Sequence, residues 1–161
     1  MTPTAKSTPV LRVDKVSDAR LRDLVGYQMK RAFNVVQADL IRTLKPFELR
    51  MLTYTALVLI ADNPGLRQSQ LADAMDIERP NLVVIIDELE RRALINRDRV
   101  ASDRRAFALM ATLAGTHLAA AASKAVARHE HRLLGAMDQD TRETVIAAMT
   151  QIQQGQHGGT K

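Results

Sequence analysis

The sequence of 161 residues contains no cysteine. Disulfide frameworks, cysteine zinc sites and thiol-based redox sensing in this chain are thereby excluded. A bilayer-length apolar run is also missing: the longest dense one, MLTYTALVLIA at residues 51–61, is too short to span. The opening MTPTAKSTPV lacks the apolar centre of a signal peptide. A cytoplasmic protein with no membrane partner is the expectation. Catalytic signatures are absent as well, with no glycine-rich phosphate loop and no serine nucleophile motif. His129-Glu130-His131 sets two imidazoles two residues apart, where helical neighbours point in different directions, unlike the i, i+4 histidines of a zinc helix. A non-enzyme with no metal and no cofactor is expected.

An apolar content of 46% over this length supports one compact domain with modest appendages. The formal charge of +5 favours an anionic partner, although such a charge is also ordinary for a soluble surface.

Residues 1–17 mix Thr, Pro, Ser and Lys without periodicity and read as a flexible arm. From Asp18, an N-cap candidate, Leu21, Leu24, Val25, Met29, Ala32, Phe33, Val36, Leu40 and Ile41 recur at three and four residues, which predicts a long first helix. Pro46 suits the start of a second helix over residues 47–61, whose apolar residues surround its axis and so require neighbours on most sides. Asn63-Pro64-Gly65 ends it. A short helix over residues 68–75 follows, then a break at Asp76-Ile77-Glu78, then a helix restarted by Pro80. In that helix Leu82, Ile85, Ile86 and Leu89 form an inward stripe, while Arg79, Asn81, Val84 and Glu88 lie away from it.

After Ala93 the period becomes two. Ile95, Arg97 and Arg99 alternate with other residues, and so do Phe107, Leu109 and Ala111, which predicts a β-hairpin. Thr112 opens an alanine-rich helix to about Gly135, and Asp138 caps a last helix with Val145, Ala148, Met149 and Ile152 on a buried face. The ending GQHGGTK is expected to fray.

This order places a helix-turn-helix beside a two-stranded hairpin, a mainly α winged helix-turn-helix. In such a unit the second short helix fits the major groove, and the hairpin tip lays guanidinium groups on phosphates or into a narrow minor groove. Between Arg91 and Arg105 six arginines face only Asp98 and Asp103, so the wing concentrates positive charge. Basic hairpins and helix-turn-helix pairs also occur as plain packing units.

LADAMDIERPNLVVIIDELERRALINRDRVASDRRAFALMATLAG, with LKPFELRMLTYTALVLIADNPGLRQSQLA leading into it, resembles the DNA-binding core of the MarR family of bacterial transcriptional regulators. The match includes the DRR wing signature and the helix-opening threonine after the second wing strand, and it extends over about residues 20–153. The resemblance implies that Gln68, Ser69 and Gln70 touch the DNA backbone and that Arg79, Pro80 and Asn81 begin the recognition helix. Asn81 is the candidate for a bidentate adenine contact, its alternative being an exposed helix-start residue. Asp103 and Arg105 resemble the family pair in which an acid supports a wing arginine, and Arg97, Arg99 and Arg104 join Arg105 as DNA candidates, with surface arginine as the alternative for each. The chain departs from the family at Pro80, Val83 and Val84, where relatives commonly carry small hydroxyl residues and often a basic one. Val84 either packs on a thymine methyl group or leaves specificity to DNA shape.

The resemblance further implies a homodimer on a palindromic double-stranded operator, with residues 18–45 and 112–154 forming an interlocked helical dimerisation region, residues 46–111 the DNA-binding region and residues 155–161 a flexible tail. It implies repression relieved by a small aromatic acid, phenolic compound or acyl-CoA thioester. Tyr27, Arg31, Phe33, Phe47, Arg50 and Tyr54 are the ligand candidates, since an arginine pairs with a carboxylate or phosphate and a ring stacks on a ring. Core packing and surface charge are their alternatives. An effector-independent DNA-binding regulator, or a helical interaction dimer that meets no DNA, would share these features.

Overall fold

The computed structural model describes residues 16–100 and 103–155, apart from the side chains of residues 99–100 and 103–107. The predicted arm therefore lies outside the described residues up to residue 15, and so does the predicted frayed end from residue 156. The elements are α1 (Val25–Leu44), α2 (Met51–Asp62), β1 (Leu66–Arg67), α3 (Gln68–Met75), α4 (Arg79–Arg91), β2 (Ile95–Val100), β3 (Asp103–Ala111), α5 (Leu113–Leu134) and α6 (Gln139–Gly155). This is a mainly helical winged-helix fold. The chain divides into two compact units within α1, one running through Val35 and the other starting at Val36.

In the first unit Asp18 does not cap the long helix. It precedes a 3-10 turn, Ala19–Leu21, and makes no side-chain cap. Its carboxylate instead accepts bonds from Arg22 (2.8 Å), the Tyr27 hydroxyl (2.8 Å) and Arg31 (3.1 Å). Three side-chain donors occupy the carboxylate, and α1 begins at Val25, six residues beyond Ala19, where a helix capped by Asp18 would start.

The second unit contains the core. Pro46 belongs to a 3-10 turn, Lys45–Phe47, which Glu48 closes in the left-handed region at φ 53°. A left-handed residue cannot continue a right-handed helix, so α2 starts only at Met51. Thr53, Ala56, Leu57 and Ile60 of α2 are buried, and the helix packs on α3, α4, α5 and β3. That is the central position its all-round apolar surface demands.

The sheet has three strands in the order β1-β3-β2, all antiparallel. The two-residue β1 is too short to show a period. It forms because Gly65, at φ +88°, turns the chain after α2 and donates its N–H to the Leu109 carbonyl at 3.0 Å, setting Leu66 opposite Leu109.

In α4 the predicted stripe Leu82, Ile85, Ile86 and Leu89 is buried. The helix ends in a Schellman turn: Ala93 adopts φ 54°, its N–H reaches the Glu90 carbonyl at 2.8 Å, and the Leu94 N–H reaches the Leu89 carbonyl at 3.0 Å. Thr112 caps α5 by accepting from the Gly115 N–H at 3.0 Å, while its own hydroxyl lies 2.8 Å from the Ala93 carbonyl. These two turns join α4, the β2–β3 hairpin and α5 at one point.

Asp138 accepts from the Thr141 N–H at 2.7 Å at the start of α6, which keeps its carboxyl below the ordinary range. The expected buried face of this helix is not found among the described residues. No residue of α6 is buried, and Val145, Met149 and Ile152 are exposed. Burial needs a facing element, and none of the described elements packs closely along α6.

Candidate functional site

The exposed face of α4 is the first part of the site. Arg79, Pro80, Asn81 and Val84 are all exposed, because the inward stripe at three and four residues leaves these positions on the opposite side. Val84 is 63% exposed, an unusual degree for a β-branched apolar side chain on a helix whose core face is fully used. Gln68 and Ser69 at the start of α3 meet Arg79 and Val83 around a cleft of about 140 Å³. Gln70 is turned to local use: its side-chain oxygen accepts from the Arg67 N–H at 3.0 Å and so fastens the start of α3.

The acidic residues of α4 are each covered by an arginine from elsewhere. Arg97 of β2 pairs with Asp87 and, at 2.8 Å, with Glu90. Its side chain is 22% exposed, and its Nε is buried without a hydrogen-bond partner among the described residues. Arg97 thus ties the wing to α4. Arg50, just before α2, pairs with Glu88. Arg92 stands 4.0 Å from Glu88 while donating to the Glu48 carbonyl at 2.7 Å and the Phe47 carbonyl at 3.1 Å. The side chains of Arg99, Asp103, Arg104 and Arg105 lie outside the described residues; along the backbone, Arg99 pairs with Phe107 and Val100 with Asp103 at the end of the hairpin.

A cavity of about 650 Å³ opens behind the face of α4. One wall is Gln37 and Ile41 of α1, another is residues 49–53 leading into α2, and the third is Asn81, Val84 and Ile85 of α4. Among the described residues the lining is mostly apolar, with the polar residues Gln37, Asn81 and Thr53 and one charged residue, Arg50. Such a cavity suits an apolar or aromatic body carrying one anionic group.

Of the six residues expected at a ligand, Arg50 alone lines this cavity. Phe47 and Tyr54 pack against the core, and the Tyr54 hydroxyl lies 3.2 Å from Ser123 Oγ on α5. Tyr27 and Arg31 bond Asp18 and each other, at 3.0 Å between guanidinium and phenol, while Lys30 stands 5.8 Å from the centre of the Phe33 ring. Arg22 first, and then Tyr27, hold the Asp18 carboxyl below its ordinary value.

Gln37, Ile41 and Glu88 were not singled out for a ligand. Their sequence signal is slight: Gln37 and Ile41 share a helix face at i, i+4, but nothing local relates that face to residues 81–88. Also new is a cluster in which Asp39 of α1 accepts from His129 Nδ1 (2.7 Å), Arg42 (2.7 Å) and Arg132 (2.5 Å). His129 is nearly fully buried there. The His129 bond, followed by those of Arg42 and Arg132, keeps the Asp39 carboxyl far below the ordinary carboxylate range.

Comparison with known proteins agrees with this geometry. The sequence model of the MarR family matches residues 49–107, the span from the cavity wall through the wing. A transcriptional repressor, CouR, solved bound to a 23-mer DNA duplex, is 37% identical and superposes with a TM-score of 0.81 over 86% of this chain and 98% of its own. CouR from Rhodococcus jostii RHA1 bound to p-coumaroyl-CoA is 29% identical, with a TM-score of 0.75 over 90% of this chain and 99% of its own. A Thauera aromatica protein assigned as a transcriptional regulatory protein for the hcr operon is 36% identical over 99 residues, which are 62% of this chain; the match spans 60% of that protein's length.

Proposed function

This chain belongs to the MarR family of DNA-binding transcriptional regulators, and from that premise we propose that it is a homodimeric repressor, not an enzyme, released from a palindromic operator by a small aromatic, anionic effector. The observation that carries the effector reading is the shared wall. Asn81 and Val84, exposed on the recognition helix, also border the 650 Å³ cavity, so a molecule seated there touches the helix that meets DNA. The DNA-bound and p-coumaroyl-CoA-bound structures of CouR support an aromatic acyl thioester or its parent acid as the ligand class.

The dimer reading rests on α6. A helix with Val145, Ile146, Met149 and Ile152 exposed leaves apolar surface for a second copy, consistent with the small residues of α5 and with two half-sites one DNA turn apart. Gln68, Ser69 and the wing arginines Arg99, Arg104 and Arg105 serve phosphates, while Gln70 fastens the start of α3 and Arg97 holds the posture of the wing. Arg79, Pro80, Asn81 and Val84 face the bases. Asp103 supports the wing tip.

In free-energy terms the effector acts only through its preference for the DNA-incompetent state, and a hundredfold loss of affinity needs about 2.7 kcal/mol. The test is anisotropy of labelled DNA from the region upstream of the coding sequence, at two salt concentrations, with p-coumaroyl-CoA, p-coumarate and other aromatic acids added in turn. Saturable, salt-sensitive binding that one compound reverses supports the repressor; binding that none reverses favours an effector-independent regulator. Sedimentation of the free protein as a monomer at micromolar concentration would count against the dimer.

A further inference from the structure

Arg50 is the one charged residue lining the cavity among the described residues, and it is already paired with Glu88. Glu88 lies on α4 seven residues beyond Asn81 and four beyond Val84, hence on the same face, about two turns and one turn along. The pair is unequal: the Arg50 side chain is 74% exposed and therefore free to turn, whereas that of Glu88 is 18% exposed and held against the protein. Among the described residues the other cation near Glu88 is Arg92, 4.0 Å away and anchored by two backbone carbonyls.

We propose that Glu88 is an internal competitor for the anion-binding residue of the cavity: a ligand's anionic group takes Arg50 from Glu88 and breaks the tie between the start of α2 and the recognition helix. This rests on the reading of the cavity as an effector site. An arginine fork paired to one carboxylate is exchanged for another anion with little change in hydrogen bonding, so the ligand's gain is reduced by what the pair already holds. A neutral molecule of the same outline leaves the pair intact. Arg50 therefore selects for anions, while Glu88 lowers their affinity and links their arrival to α4, where a released carboxylate on the DNA-facing side disfavours phosphates.

Calorimetry on wild type, Glu88→Gln, Arg50→Gln and the double variant, with p-coumarate, p-coumaroyl-CoA and the neutral methyl p-coumarate, tests this, with circular dichroism checking that each variant is folded. Glu88→Gln is expected to bind the anionic probe about tenfold more tightly and the methyl ester unchanged. Arg50→Gln binds acid and ester alike, and adding Glu88→Gln to it gives no further gain. The acid against the thioester identifies whether a carboxylate or the coenzyme's phosphates meet Arg50. In DNA anisotropy, the ratio of affinities with and without saturating anionic probe is expected to shrink in Glu88→Gln, where the tie is absent in both states. Equal binding of the anions to wild type and Glu88→Gln overturns the exchange and leaves the cavity as an effector site. Absence of binding of all three probes to wild type and to Glu88→Gln removes the effector reading and the exchange with it.

Discussion

His129 Nδ1 lies 2.7 Å from Asp39 Oδ2, joining the C-terminal part of α5 to the second half of α1. The same carboxylate accepts from Arg42 and Arg132, so one acid organises three donors. Because these partners lower the Asp39 pKa on folding, its contribution is fully present above the ordinary carboxylate value, about 3.9, and is lost as pH falls through the lower folded value. Urea midpoints measured from pH 7 down to pH 2 should fall on the acid side in wild type. Asp39→Asn should be less stable at pH 7 and show a shallower acid limb; parallel curves would show that the cluster contributes nothing to acid sensitivity.

Gly115 has no room for a side chain, since a β-carbon there would stand 1.9 Å from the Leu94 carbonyl oxygen. Backbone cannot yield as a side-chain tip can. Gly115→Ala should cost about 3 kcal/mol in chemical denaturation and disturb the Thr112 cap beside it.

Ala93 occupies the left-handed position of the Schellman turn that ends the recognition helix. Glycine carries no β-carbon penalty in that conformation, so Ala93→Gly should raise stability by about 1 kcal/mol, read as a higher melting temperature with DNA affinity retained. A loss of stability would contradict the strain assigned to Ala93.

Arg97 spends its charge on Asp87 and Glu90. Replacing it by Leu should lower stability by about 1 kcal/mol and weaken all DNA sequences alike, since two carboxylates on α4 then stand uncovered. The slope of log affinity against log salt should stay close to that of wild type. A slope smaller by about one would instead make Arg97 a direct phosphate contact.

On the proposed reading, Asn81 and the wing tip should separate specificity from affinity. Asn81→Ala should cost about 1–3 kcal/mol on the preferred operator and relax the choice at one base pair, as measured by competition among single-base variants. Arg104→Ala with Arg105→Ala should weaken binding uniformly and reduce the salt slope by up to about two. Unchanged affinity in both sets would overturn these assignments.

Much of the fold was legible along the chain. The stripe of Leu82, Ile85, Ile86 and Leu89, the all-round apolar α2 and the change to period two after Ala93 each report a local environment through repetition, and the structure places them accordingly. Single-residue and pairwise effects were less visible. Asp18 has the side chain of a cap but found stronger donors in Arg22, Tyr27 and Arg31, and β1 depends on a turn at Gly65 that leaves two residues too few to read.

By itself the sequence determined the helix-turn-helix beside a wing, its positive charge and the outward face of α4, because periodicity and composition are properties of neighbours in the chain. Tertiary structure alone decided which arginines are free and which are taken. Arg50 meets Glu88 across 38 positions and Arg132 meets Asp39 across 93, and the cavity wall unites Ile41 with Val84. No local pattern encodes such meetings, since ion pairing and cavity formation depend on distances in space that separation along the chain does not set.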